Sequence, residues 1–495
     1  MRNTITKAAP SYWSIMLPLA LAQFICSYAA TNMNVAISSI ATDLRTDVHG
    51  VQIAITLFTL TMAALMIPGS KLTDIWGRKF CLVLGLTVYT LGALLAALAP
   101  GLGVLIFGYS LLEGVGSALL IPPVYILVTV SFVDLTTRAK SFGIISAAGG
   151  IGAAAGPLIG GLITTTISWR ASFLLQVLVV VLIIVLSRRI ADPGIQGAKP
   201  RFDVEGAILS AAGLFFVVLG ILQSGTYGWF TASQDFAIGT VVVIPQGGIS
   251  PVWLFVGIGV LILLWFFLHI RSRERAGKEP LLSTHLFRNR VSNLGLVTQN
   301  IQWLILQGSF FVISVFLQTA RGYNAIQTGL ILTPATIGIL LSSSIAGRLA
   351  QRRSQRTLIR AGFVITLVGM LLLLFLASAT SSILNFIPGL LLMGLGVGVM
   401  LTSSVNVVQS SFPEEDQGEI SGLSRSVSNL GSSLGTAIVG SVLVSSVVSE
   451  NQTYGLALIT LVVIAGIGLV AALLLPPIPI QSETATRMGE MEEKA

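Results

Sequence analysis

One acid stands alone in apolar surroundings. Glu113 sits in the stretch Ser110-Leu111-Leu112-Glu113-Gly114, inside an apolar run from about residue 101 to 128. A carboxyl there suits one kind of chemistry: taking up a proton on one side of a barrier and releasing it on the other, or contacting a cation. Ionising it away from water is costly, so its protonation would follow the conformation around it. The alternative is a structural acid hydrogen-bonded to a neighbouring helix.

A second set of groups is polar but uncharged. Gln299, Trp303 and Gln307 recur every four residues and share one helix face, with Gln302 nearby. Asn32 and Asn34 lie in the first apolar run, and Asn406 in a late one. Lipid would not favour such a face, so it is expected to point inward. It could line a cavity for amphipathic, including cationic, solutes. It could equally hydrogen-bond helix to helix.

Other chemistries lack their residues. There is no G-x-x-x-x-G-K-[ST] stretch to cradle a nucleotide, so ATP is not expected to drive anything here. His49, His269 and His285 are far apart and form no metal-ligand spacing. The expectation is no enzyme, no cofactor and no metal. Cys26 and Cys81 both fall in or beside apolar runs, which implies no disulfide framework.

The elements that must position these residues follow from composition. The chain has 495 residues, of which 54% are hydrophobic and only 10% charged, and its mean hydropathy is +0.89. A soluble exterior needs more charge than that, whereas a bilayer solvates apolar surface. Runs long enough to span read at about 14–40, 51–70, 79–99, 101–128, 138–164, 169–190, 205–223, 252–270, 291–319, 325–348, 358–378, 382–406, 418–447 and 452–476. The fold class is therefore an all-α membrane protein of about fourteen spans. Tyr28-Ala29-Ala30 resembles a signal-cleavage site, but the first run continues past it and reads as an uncleaved span.

Charge sets the orientation. Of the 28 lysines and arginines, all but Arg45, Arg170 and Arg321 fall on the side of the N-terminus, with Arg425 counted among those loop charges. That asymmetry puts both termini in the cytoplasm of a multi-pass cell-membrane protein. The net charge of +8 then reflects topology, and no nucleic-acid partner is implied. Residues 224–251 lie outside, lack Lys and Arg, and carry Trp229, Phe230 and Phe236, with Trp253 just beyond. They read as interfacial aromatics, or alternatively as an ordered cap. Residues 480–495 are polar and without periodicity, and read as a disordered tail.

Two local patterns are more particular. The turn after the second span reads Gly69-Ser70-Lys71-Leu72-Thr73-Asp74-Ile75-Trp76-Gly77-Arg78-Lys79. The fifth span reads Gly152-Ala153-Ala154-Ala155-Gly156-Pro157-Leu158-Ile159-Gly160-Gly161, in which Gly152, Gly156 and Gly160 share a face that lets two backbones meet. Pro157 adds a kink or weak point to that span. The first pattern resembles the cytoplasmic loop G-x-L-(A)-D-x-x-G-R-K of the major facilitator superfamily. The second resembles that family's G-x-x-x-G-P-x-x-G-G motif, which marks exporters. Trp169-Arg170 with Phe173, Gly322-Tyr323 with Gly329 and Pro334, and the worn second loop copy Gly347-Arg348-Leu349-Ala350-Gln351-Arg352 agree with it.

The resemblance covers nearly the whole chain and points to the fourteen-span drug:proton antiporter branch. It implies a six-helix bundle over 1–190, an inserted helix pair with its linker over 191–290, and a second six-helix bundle over 291–479. It implies a cytoplasmic gate at Gly69, Asp74, Gly77, Arg78 and Lys79, with Lys71 where the family is usually apolar or small. It also implies alternating access to a central cavity. Two departures stand out. Aligning Asn34-Val35-Ala36-Ile37 puts Ala29 where the branch has an aspartate, and Ser110 replaces its span-four arginine. Glu113 is then the only ionisable residue well inside these spans, and so the candidate for proton coupling. The expected function is proton-coupled export of hydrophobic or amphipathic compounds. The alternatives are a transporter of lipid-like metabolites without strict coupling, and a non-transporting sensor or assembly partner. The expected partners are the lipid bilayer, a small-molecule substrate and protons.

Overall fold

In lipid every backbone amide must find its partner inside the chain, and here almost every described residue does so in a helix. The computed structural model describes residues 12–132, 135–190, 201–238, 241–350, 353–378, 380–413, 416–445 and 450–477. The tail expected over 480–495, the start of the 191–290 linker and the end of the second loop copy at 351–352 lie outside them. Fourteen long helices follow one another. They are α1 (Tyr12–Val35), α2 (Val48–Trp76), α3 (Arg78–Ala97), α4 (Leu102–Ser131), α5 (Leu135–Thr166), α6 (Trp169–Ser187) and α7 (Val204–Tyr227). The remainder are α8 (Pro251–Arg275), α9 (Arg290–Ala320), α10 (Ala325–Ala350), α11 (Gln355–Leu376), α12 (Ile383–Gln409), α13 (Gln417–Ser445) and α14 (Glu450–Leu474). The short helix Ile37–Asp43 links α1 to α2.

Sequence explains where the helices start. Asp47, Ser168, Asp203, Ser250, Asn289 and Ser354 each accept from a backbone N–H of the first turn of α2, α6, α7, α8, α9 and α11. Pro251 at the first position of α8 needs no such partner. Gly77, at φ 99°, makes the tight passage from α2 to α3 that a side chain would resist.

Among the described residues thirteen of these helices are long and apolar enough to cross a membrane. The exception is α13, the expected span at 418–447. Its serines and glycines lower its hydropathy because it runs through the middle of the molecule, packed on α2, α7 and α9. Glycines 431 and 435 have no room for a side chain against the Asn300 and Leu304 carbonyls of α9.

Helices α1–α6 pack mainly on one another, as do α9–α14. The two groups meet along α2–α13 and α5–α10. The pair α7–α8 packs on itself and lays α7 against α2 and α13. One end of the molecule carries the Gly77 turn and the basic loops (the basic end). The other carries a hairpin, β1 (Phe236–Ile238) and β2 (Val241–Ile244), antiparallel with an irregularity between Phe236 and Ala237. Phe236 is buried edge-on to Tyr227 and Phe255, whereas Phe230 faces out. The described part of 224–251 is thus an ordered cap rather than loose interfacial aromatics.

Candidate functional site

Glu113 ends a π-helical stretch, Ile106–Glu113, within α4. Such an inserted turn turns side chains away from regular helix spacing and is frequent at functional sites. Gly92 and Gly108 face each other there; a Cβ on either would lie only 2.6 or 2.8 Å from the other's carbonyl oxygen, so α3 and α4 touch through backbone. The Glu113 side chain is 0% exposed, and neither carboxyl oxygen has a hydrogen-bond partner among the described residues. Tyr89, Tyr109 and Cys26 surround it. The Tyr89 hydroxyl gives its one proton to Gln176 Oε1, and Tyr109 gives its own to the Ala29 carbonyl, at 3.2 Å. Ser110, at the position of the missing arginine, donates to the Ala54 carbonyl at 2.7 Å. The two departures are therefore filled by neutral packing, and among the described residues no cation pairs with Glu113.

The glycine motif of α5 splits its work between two neighbours. Gly152, Gly156 and Gly160 seat α1, at Phe24, Thr31 and Asn32. Gly161 and the Pro157 carbonyl instead meet Ala325 and Gly329 of α10, in the other half. Pro157 has no N–H to give to the Ala153 carbonyl one turn back. Thr31 of α1 supplies the missing donor, at 3.0 Å. Thr165 accepts from the Ile326 amide of α10 at 2.9 Å, and Thr336 of α10 donates to the Ala154 carbonyl at 3.2 Å. These contacts close α5 on α10 from the hairpin end to mid-helix.

The α2–α13 seam is polar along its length. Gln52 Nε2 donates to the Thr436 carbonyl at 3.2 Å. Ser433 and Ser426 donate to the Thr56 and Ala63 carbonyls, at 3.1 and 2.5 Å. At the basic end Ser70 donates to the Gly418 carbonyl at 3.3 Å, and Lys71 pairs with Glu419 at 3.6 Å. Among the described residues it is thus Lys71, the departure from the family loop, that supplies the ion pair between the halves. Asp74 stands beside Lys71, Arg78 and Glu419, and Lys79 instead caps the end of α6 through the Arg188 and Ile190 carbonyls, at 3.1 and 2.7 Å. Gly69 is pressed against the Ala118 carbonyl of α4.

One charged residue inside the spans was missed. Arg425, counted among the loop charges, lies just over two turns inside α13 from Gln417. Its Nη2 donates to the Tyr125 hydroxyl on α4, with the guanidinium 4.7 Å from the Tyr125 ring centre. Tyr125 in turn donates to Gln23 Oε1 of α1, at 3.3 Å. Glu113 is therefore not the only ionisable residue inside the spans. The span boundary at 418 already enclosed Arg425; its distance from the other basic residues was the available signal.

The seven amide and aromatic candidates do not form one lining. Asn32 donates to Ser172 within its own half, at 2.9 Å. Gln299 bonds Ser424 and Ser428, and Gln302 bonds Ser404, within theirs. These three follow the interhelical alternative. Gln307 crosses the seam to the Ala30 carbonyl at 2.9 Å. Asn34 is fully buried with both amide atoms unpartnered among the described residues, while its carbonyl accepts from Gln318 of α9 at 3.0 Å. Trp303 is half-buried, and Asn406 is exposed rather than enclosed.

Similarity to known proteins agrees with this arrangement. The sequence profile described as Major Facilitator Superfamily matches residues 19–250 and 236–436. The multidrug resistance protein Stp of Mycobacterium tuberculosis (strain CDC 1551 / Oshkosh) is 26% identical over 428 residues, covering 86% of this chain and 75% of Stp. The puromycin resistance protein pur8 of Streptomyces alboniger is 29% identical over 434 residues, 87% of this chain and 81% of pur8. The tetracenomycin C resistance and export protein of Streptomyces glaucescens is 26% identical over 439 residues, 88% and 76% of the two chains.

Proposed function

The chain belongs to the Major Facilitator Superfamily, and we propose that it is a secondary transporter that exports hydrophobic or amphipathic compounds from the cytoplasm in exchange for protons. The relatives named for resistance and export support the direction of transport. So does the α5 glycine face, closed on α1 and α10. The basic end faces the cytoplasm, where its lysines and arginines are retained. The two halves rock about the α2–α13 and α5–α10 seams, exposing the space between them to each side in turn.

Glu113 carries the proton-coupling part of this reading. An enclosed carboxyl that finds no cation and no donor among the described residues lacks the partners that an ionised form would need in a membrane. Tyr89 beside it has already given its proton to Gln176, so it can accept from Glu113 but not donate to it. A proton on Glu113 suits this conformation, and a conformation that admits water to α4 would let it leave. The test uses the purified full chain in proteoliposomes with an imposed pH gradient, following a lipophilic solute panel and internal pH together. Wild type should move protons against solute, and Glu113→Gln should move solute without them. Normal coupling in Glu113→Gln overturns the assignment. The neutral filling at Ala29 and Ser110 favours a second reading, in which a lipid-like solute moves without protons. In that case wild type itself shows no proton flux in the same assay.

A further inference from the structure

We propose that Arg425 and Tyr125 form a binding site for an amphipathic organic anion, a carboxylate or similar flat oxyanion, at the seam between the halves. The site rests on the exporter reading for its purpose but not for its geometry.

The guanidinium stands where three helices from both halves meet: α13 through Arg425, α4 through Tyr125 and α1 through Gln23. Five N–H groups leave a guanidinium in a planar fork that fits a carboxylate through two parallel bonds. Here one of them goes to a neutral hydroxyl, and a tyrosine face covers part of the charge. No Asp or Glu among the described residues pairs with it. Of the acids inside the neighbouring spans, Glu113 is completely enclosed and Glu419, in the first turn of α13, is already paired with Lys71, whereas Arg425 is only half-buried. Among the described residues, a solute reaching Arg425 therefore meets a positive charge that no acid has neutralised. Neutral partners offset only part of the cost of a cation inside a membrane, and an anion supplies the rest. A purely structural role fits poorly, because this contact joins α4 to α13 across halves that must separate in every transport cycle. An anion site differs from the cationic solutes that the sequence also allowed.

The test measures binding without flux, so its outcome is independent of coupling and of export. The full chain in phosphatidylcholine nanodiscs is titrated with three probes sharing one ring system: pyrenebutyrate, its methyl ester and pyrenebutyl-trimethylammonium. Wild type should bind the anion more tightly than the cation. Arg425→Gln should weaken the anion by about tenfold or more and leave the ester unchanged, since charge-assisted hydrogen bonds are lost and apolar contacts are not. Arg425→Lys should recover part of the loss, a point charge replacing the fork. A wild type that prefers the cation, or an Arg425→Gln chain whose anion affinity falls no further than its ester affinity, overturns the proposal. The wild-type selectivity needs no variant, so a variant that fails to fold leaves the test intact.

Discussion

The two seams that join the halves are built in opposite ways. Along α5–α10 the backbones themselves touch: Gly161 leaves no room for a Cβ at 2.5 Å from the Ala325 carbonyl, and Gly329 is pressed on the Pro157 carbonyl. Among the described residues only two threonines bond across. Along α2–α13 the contact is made by side chains, with an amide, three serines and an ion pair bonding from one end to the other. A seam of glycine contacts is stiff and unforgiving, because a backbone carbonyl cannot move aside. A seam of hydroxyls can exchange partners one at a time, as a sliding interface requires. The difference suggests that α5–α10 acts as the pivot and α2–α13 as the surface that slips.

The largest effect should come from filling the glycine seam. Gly329→Val places two methyl groups where the Pro157 carbonyl stands. Overpacking of this kind costs about 1–3 kcal/mol even where neighbours can shift, and here the upper part of that range is expected. Detergent melting should fall by several degrees. A cysteine placed at Ile326, in a chain with Cys26 and Cys81 changed to serine, should become open to a membrane-impermeant thiol reagent. If it stays closed and melting is unchanged, the seam is not the rigid one.

How far each seam was legible in the sequence follows from the same contrast. Glycines at 152, 156 and 160 announce a close approach by their spacing alone, and α1 is the helix that seats there. What spacing could not say is that Pro157 turns the neighbouring face to α10, or that Thr31 completes the Ala153 carbonyl, because those partners are far away along the chain. The polar seam was nearly invisible. Serine is common in loops, so α13 shows only its length, and Arg425 reads as one more basic residue at a span end. The amides at 299 and 302 carried a correct face but not their partners, Ser424, Ser428 and Ser404, which the fold alone brings near.

A middle-sized effect tests the strap behind the polar seam. Asp203, almost wholly buried, caps α7 through the Gly206 amide at 3.0 Å and accepts from the Leu281 amide at 3.2 Å. It also bonds His269 at 3.0 Å and pairs with Arg273 at 3.4 Å. Glu419 continues the strap, taking the Ser283 amide at 2.9 Å beside its pair with Lys71. Burial alone would raise the Asp203 carboxyl, but the Gly206 amide, His269 and Arg273 together outweigh it and hold the group below the ordinary carboxylate range. A depressed value means that ionised Asp203 favours the folded chain. Its contribution is complete above pH about 4 and fades as pH falls through its own lower value. Asp203→Asn should therefore cost about 2 kcal/mol near neutrality. Melting curves of the two chains should converge as pH drops below about 4. A constant gap at every pH would show that shape, not charge, holds the strap.

The smallest effect is the most telling about sliding. Ser433→Ala and Ser426→Ala each remove one hydroxyl bond to α2, at the Thr56 and Ala63 carbonyls. Those carbonyls sit inside a helix and keep their own backbone donors, so nothing is left unsatisfied. Bonds of this kind between membrane helices are worth about 0.6 kcal/mol each. Melting should barely move, and less than for any single change on the glycine seam. Transport rate should respond more than stability, because each hydroxyl is a partner that α2 leaves and regains as the halves rock. If both alanine chains melt several degrees lower with unchanged rates, the polar seam is a static joint and the pivot lies elsewhere. If rates change while melting holds, α2–α13 is the moving surface, and its serines are there for motion rather than for strength.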